Sequence, residues 1–480
     1  MTVQQNESSV PASLRPSHSS MLMWAPCIAI LLYLISSLML FKFGPIDWAV
    51  HNEGEFWAFN ALYLSMFSVG YAVAHWRRHW WTAGGFAQSP RNFTERFFWP
   101  VWFCAVVVVL IAHRNLTLGP SYIPTTLLSD FITGLITPEK GYIYKLSAEA
   151  NANFSGNPPV TALYGALSFS KLVLVYMLVS DWSGLSRLKK ILGLAVAIFP
   201  ILSGVSVGTN KPIFDVAFTF LFLILACVVI TPHVARLAFI KSRLVLIGIT
   251  VLIVLFSVAY FQHTMSVRAG GLEYADRLGL SVGAEVASAE EARPVAVKPA
   301  FKKYCDISGG VVLKGCELLS IGTIYLTQGY YGMSLSADIP FETTYGLGHS
   351  KFIIDALRNY LDVDLGPRTF QQKIDDRWSA EAQWHSAYSQ WANDVGFLGV
   401  ALVMFAVGFY VCAIWTSALT THNMAAVCNI PVLAILIFFI PANNQVFNQL
   451  ESLATFIVLL ITWLGSLPMG TRVRTFLRAK

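Results

Sequence analysis

Residues 191–230 read ILGLAVAIFPILSGVSVGTNKPIFDVAFTFLFLILACVVI, two apolar runs joined by a short polar turn. A helix needs about 20 mostly apolar residues to cross a bilayer core. Lipid offers no partner for free backbone N–H and C=O groups, so runs of this kind must be helical. Working outward, ten such stretches lie along the 480 residues: 23–43, 56–75, 97–113, 161–180, 191–206, 213–231, 243–262, 395–416, 425–443 and 453–469. Hydrophobic residues make up 55 % of the chain and charged ones only 12 %, against about 25 % charged in ordinary soluble domains. That much apolar surface needs lipid as a second solvent. A soluble enzyme, a disordered chain and a secreted disulfide scaffold are disfavoured together. The long unbroken runs also argue against an outer-membrane barrel, whose segments are short and alternating.

Lys and Arg set the orientation. With the N-terminus inside, the inside segments carry fifteen of them, whereas the three short outside turns (44–55, 207–212 and 444–452) carry one, Lys211. The expected fold is therefore an all-α polytopic membrane protein with both termini cytoplasmic. It has about 10 transmembrane helices, or 11–12 when re-entrant elements of the large loop are counted. The organisation reads as a disordered cytoplasmic tail (1–20) and helices one to seven over 21–262, with an outside loop at 114–160. A large periplasmic loop (263–394), helices eight to ten (395–470) and a basic cytoplasmic tail (471–480) complete it. Within the large loop, Ser288 to Lys303 looks mobile, whereas 317–334 (ELLSIGTIYLTQGYYGMS) is apolar enough for a re-entrant or surface-lying helix. The net charge of +6 is mostly topology: the large loop holds twelve basic and sixteen acidic residues. It points to no nucleic-acid partner.

Several residues stand out against this background. Lys211, in VSVGTNKPIFD (205–215), breaks the positive-inside pattern. At a helix N-terminus, ahead of Pro212, an ammonium suits an anion. The alternatives are a snorkelling side chain or neutralisation by Asp215. Lys171 sits near the middle of span four (ALSFSKLVLV), where an ionisable group costs roughly 2.5–3.5 kcal/mol on insertion scales. It faces either a polar cavity or a partner on a neighbouring helix. Arg268 and Arg277 follow span seven on the outside. In RWSAEAQWHSAYSQWANDVGFLG (377–399), Trp384, Tyr388, Trp391 and Val395 share a helical face, which serves packing or sugar stacking. Glu381, His385 and Asp394 beside it can accept protons. Tyr330 lies in an aromatic and polar segment (323–350), and Asn443, Asn444, Gln445, Asn448 and Gln449 form an amide cluster. Cys305 and Cys316 are either a disulfide or two free thiols; their spacing does not match a zinc site. Asp362 and Asp364 read as a chance Asp-x-Asp, and no metal is expected. Walker motif, dinucleotide fingerprint and internal repeat are all missing from the sequence.

YLTQGYYGMS, then GLGHS, then WHSAYSQWANDVGFLG leading into a late span resembles the oligosaccharide repeat unit polymerases of the Wzy type. The GTNK turn is similar to a cation-bearing outside turn of related polymerases and O-antigen ligases. The motif-level likeness covers about 60 of the 480 residues. What the resemblance implies is a glycosyltransferase of the bacterial inner membrane that works without metal, nucleotide or other cofactor. It would transfer the growing glycan from undecaprenyl pyrophosphate to a new lipid-linked repeat at the periplasmic face. The implied partners are the undecaprenyl-pyrophosphate-linked oligosaccharide, membrane lipid, a Wzz-type chain-length regulator and a Wzx-type flippase. The expected pyrophosphate-binding cations are Lys211, Arg268 and Arg377, then Lys171 and Arg277. His385 is the expected general base, with Asp394 and Glu381 as alternatives, and Trp384, Tyr388, Trp391 and Tyr330 would bind glycan. The first long loop departs from the family in its scarcity of Arg after Arg114. Transfer to a lipid A-core acceptor, as in a ligase, and lipid-linked oligosaccharide flipping are the competing expectations.

Overall fold

The computed structural model describes residues 20–82, 90–118, 121–143, 157–277, 295–308, 310–381 and 383–467. Apart from Ser20, the tails assigned from sequence lie outside the described residues, as do residues 288–294 of the stretch expected to be mobile. The helices used below are α1 (Ser20–Phe43), α2 (Glu53–Trp76), α3 (Pro90–Thr117), α4 (Leu127–Ile136), α5 (Pro158–Leu167), α6 (Phe169–Ser180), α7 (Arg187–Ser206), α8 (Lys211–Ile230), α9 (His233–Ser242), α10 (Leu244–Arg277), α11 (Pro299–Ser308), α12 (Gly310–Ser336), α13 (Lys351–Leu361), α14 (Ala387–Thr421), α15 (Met424–Phe439) and α16 (Leu450–Ser466).

The protein is an all-α polytopic membrane protein. Among the described residues, eight helices are long and apolar enough to cross a membrane, α5 and α6 counting as one. The last two expected spans are the shorter helices α15 and α16, of 16 and 17 residues. At 1.5 Å per residue they fall short of a bilayer core of about 30 Å. Their surroundings explain this. Most of α15 is buried, walled by α8, α14 and α16, so protein rather than lipid sets its length. The non-helical backbone at 440–449 is tolerated where protein or a cavity, not lipid, surrounds it.

Contacts define two ends of the bundle. At one, Trp415 Nε1 donates to Leu22 O (3.0 Å) and Asn423 Nδ2 to Ser466 Oγ (2.6 Å). Arg243 donates to the Val179 and Ser180 carbonyls at the ends of the α6 and α9 region. The other end carries the long connections. A two-stranded antiparallel ribbon pairs Ile46–Trp48 (β1) with Val295–Val297 (β2) there. α2 lies along α14, and their backbones approach at paired glycines. A Cβ on Gly70 would sit 2.0 Å from Phe405 O, and one on Gly408 2.1 Å from Phe67 O. Small residues at a membrane-helix crossing allow this close packing.

The long connections depart from expectation in four respects. The 114–160 segment contains α4, which packs on α7 and offers the Gly134 and Leu135 carbonyls to Tyr260 and His263 of α10. Span seven continues as α10 to Arg277. Part of the stretch expected to be mobile is β2 and the start of α11. Residues 317–334 belong to the 27-residue α12, whose last turns are buried against α1, with Ser37 Oγ 3.0 Å from the Tyr330 hydroxyl. Cys305 and Cys316 form a disulfide that ties α11 to α12.

Candidate functional site

Helix α8 begins with Lys211 because the preceding turn is fixed on all sides. Gly208 has a φ of +63°, and a Cβ there would meet Pro138 O at 2.2 Å, so only glycine fits. Thr209 N closes the turn on Gly204 O (2.8 Å), and the Asn210 side chain bonds to Thr264 of α10 (2.8 Å). Pro212 sits in the first turn, where its missing N–H costs nothing. Lys211 Nζ donates to Asp215 one turn later. Neutralisation by Asp215, the reading left open from sequence, is therefore present.

Lys211 lines a cavity of about 410 Å³ together with Lys171, Glu451, Asp215, Tyr164 and His113. Lys171 projects from α6 and pairs with Glu451 at the start of α16. The Tyr164 hydroxyl donates to the other Glu451 oxygen. The Lys171 and Glu451 side chains are only a quarter exposed. Each would be costly alone at this depth, and pairing offsets that cost. The cavity sits at the long-loop end, where α3, α5, α8 and α16 meet. Two ammoniums and two carboxylates line it between apolar walls.

The second constellation forms around the break in α14. Gly396 has φ 68° and ψ 164° inside that helix, a region essentially open to glycine alone. The break releases the carbonyls of Asn393 and Asp394 from helical bonding. Thr344 N and Oγ1 take the first (3.1 and 2.8 Å), and Thr343 Oγ1 the second (3.4 Å). The Asp394 carboxylate accepts from Gly348 N (2.8 Å), His349 N (3.0 Å), His349 Nδ1 (2.9 Å) and Thr344 Oγ1. Asn393 completes the latch through Gly348 O and Phe370 N (2.9 Å each). The GLGHS and WANDVGFLG motifs thus join directly.

These placements redistribute the expected roles. Lys171 and Lys211 share a cavity. Arg377 does not line it; that guanidinium lies 4.0 Å from Asp376 on a partly exposed turn. The side chains of Arg268 and Arg277 lie outside the described residues. None of the three expected bases faces the cavity. His385 is sealed, with Nε2 on Ser379 O at 3.3 Å and Nδ1 against the Gly332 backbone. Among the described residues that nitrogen has no hydrogen-bond partner. Burial pushes the imidazole pKa down to about 4. Glu381 is exposed and pairs with Lys351 (3.2 Å). Asp394 is saturated by its latch.

Tyr330, Tyr388 and Trp391 are corrected from glycan binding to core packing. All three are buried, with Tyr388 against Tyr63 (4.7 Å between centroids) and Tyr330 against Phe41 and Phe56. Trp384 precedes the helix that begins at Ala387, so it does not extend that helical face. It stays partly exposed, packed edge-on against Tyr325 and Phe439. The amide cluster is structural too: Asn443 Oδ1 accepts from Gln390 and Asn448 (3.1 and 2.8 Å), and Asn444 Nδ2 bonds His349 O. Sequence reading missed Glu451 and Tyr164. The available signal was that Glu451 is the only carboxylate residue after Asp394, which makes it the natural counter-charge for a cation buried among these helices.

No family model, curated protein or solved structure matches this chain.

Proposed function

We propose that this chain is a membrane glycosyltransferase that polymerises lipid-linked oligosaccharide repeats, the activity implied by its motif resemblance. The observation that best supports this reading is the apolar-walled cavity holding Lys171, Lys211 and Glu451 at the long-loop end of the bundle. A donor on a polyprenyl diphosphate presents two chemistries at once, a charged diphosphate and a long hydrocarbon tail. Lysines within an apolar helix bundle suit both. On this reading the diphosphate displaces Asp215 from Lys211, and the positive end of the α8 dipole adds to the attraction. Charge developing on the departing diphosphate is then met by the preorganised Lys211 ammonium, a contribution of the kind that is often the largest in catalysis. The stored diphosphate ester drives transfer, so no nucleotide is required. The compartment would be the bacterial inner membrane, with chemistry at its outer face and chain length set by a separate regulator.

A second reading has one specific observation in its favour. Both lysines are paired with carboxylates within the helix bundle, and intramembrane ion pairs also mark transport paths. Complementation separates the readings. In a strain whose lipid-linked glycan stops at one repeat, a polymerase restores a glycan ladder. A flippase leaves the single repeat as it is, and its deletion from the parent removes even that capped repeat. A ladder that forms on the lipid carrier without this chain, yet reaches core only in its presence, identifies a ligase.

A further inference from the structure

We infer that Glu451 is the general base of this site, an assignment that rests on the transferase reading above. The carboxylate opens α16 and faces the cavity shared with both lysines. Its placement is fixed from two sides. Lys171 pairs with Oε1, and the Tyr164 hydroxyl donates to Oε2. The second turn of α16 is also held on the α5–α6 junction, where Thr455 Oγ1 bonds Ser168 Oγ at 3.1 Å. A carboxylate offers about four acceptor positions, so two contacts leave room for a substrate hydroxyl. The other candidate bases have different work. His385 is sealed in the core, Asp394 is saturated by the 344–349 latch, and Glu381 sits outside with Lys351.

Asp215 is the second carboxylate in the cavity, but it belongs to the Lys211 side. In a displacement at an anomeric carbon, the nucleophile and leaving group occupy opposite faces. If Lys211 receives the diphosphate on α8, the base comes from another element lining the cavity, and α16 supplies one in Glu451. The acceptor O–H proton passes to a Glu451 oxygen while the acceptor oxygen bonds the anomeric carbon. The bond from that carbon to the diphosphate breaks, and its electron pair leaves on the diphosphate. The protonated carboxyl then returns its proton to water. Lys171 and Tyr164 are positioning residues: they keep the carboxylate ionised and aimed.

The test uses the full chain in liposomes, with lipid-linked repeats extracted from a strain lacking this polymerase as the probe. Glu451→Gln is expected to retain the probe as wild type does, while turnover falls by about 10²–10⁴-fold. The acid limb of the wild-type pH profile should vanish from the residual rate, which a purely structural Glu451 would not cause. Because Glu451→Gln leaves Lys171 unpaired, the neutral pair Lys171→Met with Glu451→Gln is tested beside it and must show the same loss. Turnover within tenfold of wild type in either folded variant overturns the assignment and leaves the transferase reading standing. Wild-type protein that extends no repeat overturns both.

Discussion

Lys171 and Glu451 form an ion pair inside the helix bundle and so tie α6 to the first turn of α16. Neither residue would be stable alone among apolar helices. Truncating one leaves an uncompensated charge, whereas truncating both removes the problem. A double-mutant cycle of Lys171→Met and Glu451→Gln, read by thermal unfolding in detergent, should give a coupling of about 0.5–3 kcal/mol. Additive losses would mean that the two side chains do not interact.

The Asp394 latch makes a second prediction. Asp394→Asn keeps the shape but replaces one acceptor oxygen by a donor, facing either Gly348 N and Thr344 Oγ1 or the His349 N and Nδ1 atoms. A buried donor left without its acceptor costs about 1–3 kcal/mol. Amide hydrogen exchange over 343–350 should accelerate, while α2 and the remote part of α14 keep wild-type protection. Unchanged exchange at 343–350 would show that the latch does not hold this segment.

Gly396 tests the break in α14. Its φ of 68° disfavours any side chain, at a cost of about 1–3 kcal/mol. Gly396→Ala should therefore lower the melting temperature by about 1–3 °C, since at about 2.1 cal/mol/K per residue a chain of 480 residues shifts by roughly 1 °C per kcal/mol. Gly322→Ala is the control. A Cβ there meets nothing within 4 Å in the middle of α12, and alanine favours helix. Equal effects of the two changes would contradict the break.

His385 carries the pH prediction. An imidazole ordinarily titrates near 6.5, but burial holds this one at about 4. The folded state binds fewer protons, so stability is complete above about pH 6.5 and declines as the pH falls toward the folded value. At that lower limit the loss is about 3 kcal/mol. His385→Gln cannot titrate there, so its melting temperature should vary less between pH 7 and 4, roughly the span of the two pKa values. The same substitution should leave glycan turnover within a fewfold of wild type, because the ring is sealed away from the cavity. An undiminished acid slope would show that another group governs it.

The helical architecture was legible because hydrocarbon is an unforgiving solvent: each apolar run had to become a helix. Lys171 and Lys211 were legible for the same reason, as charges out of place. Glu451 was not, since one acid at a helix start reads as an ordinary first-turn carboxylate. The ends of α14 and α15 were misplaced because protein neighbours, not lipid, fix them. The break at Gly396 was hidden by apolar residues on both sides. Tyr330, Tyr388 and Trp391 show the limit of aromatic patterning. Periodicity places rings on one face but does not reveal whether α1 and α2 cover that face, and here they do.

The central claim is that the Lys211 cavity takes the diphosphate of a lipid-linked glycan. Its most direct measurement is the glycan ladder made in a polymerase-deficient strain by wild type, Lys211→Ala and Arg377→Ala, each at equal membrane abundance. The account predicts a full ladder from wild type, no ladder from Lys211→Ala, and a ladder retained by Arg377→Ala, whose side chain does not line the cavity. A full ladder from Lys211→Ala at normal abundance would contradict it.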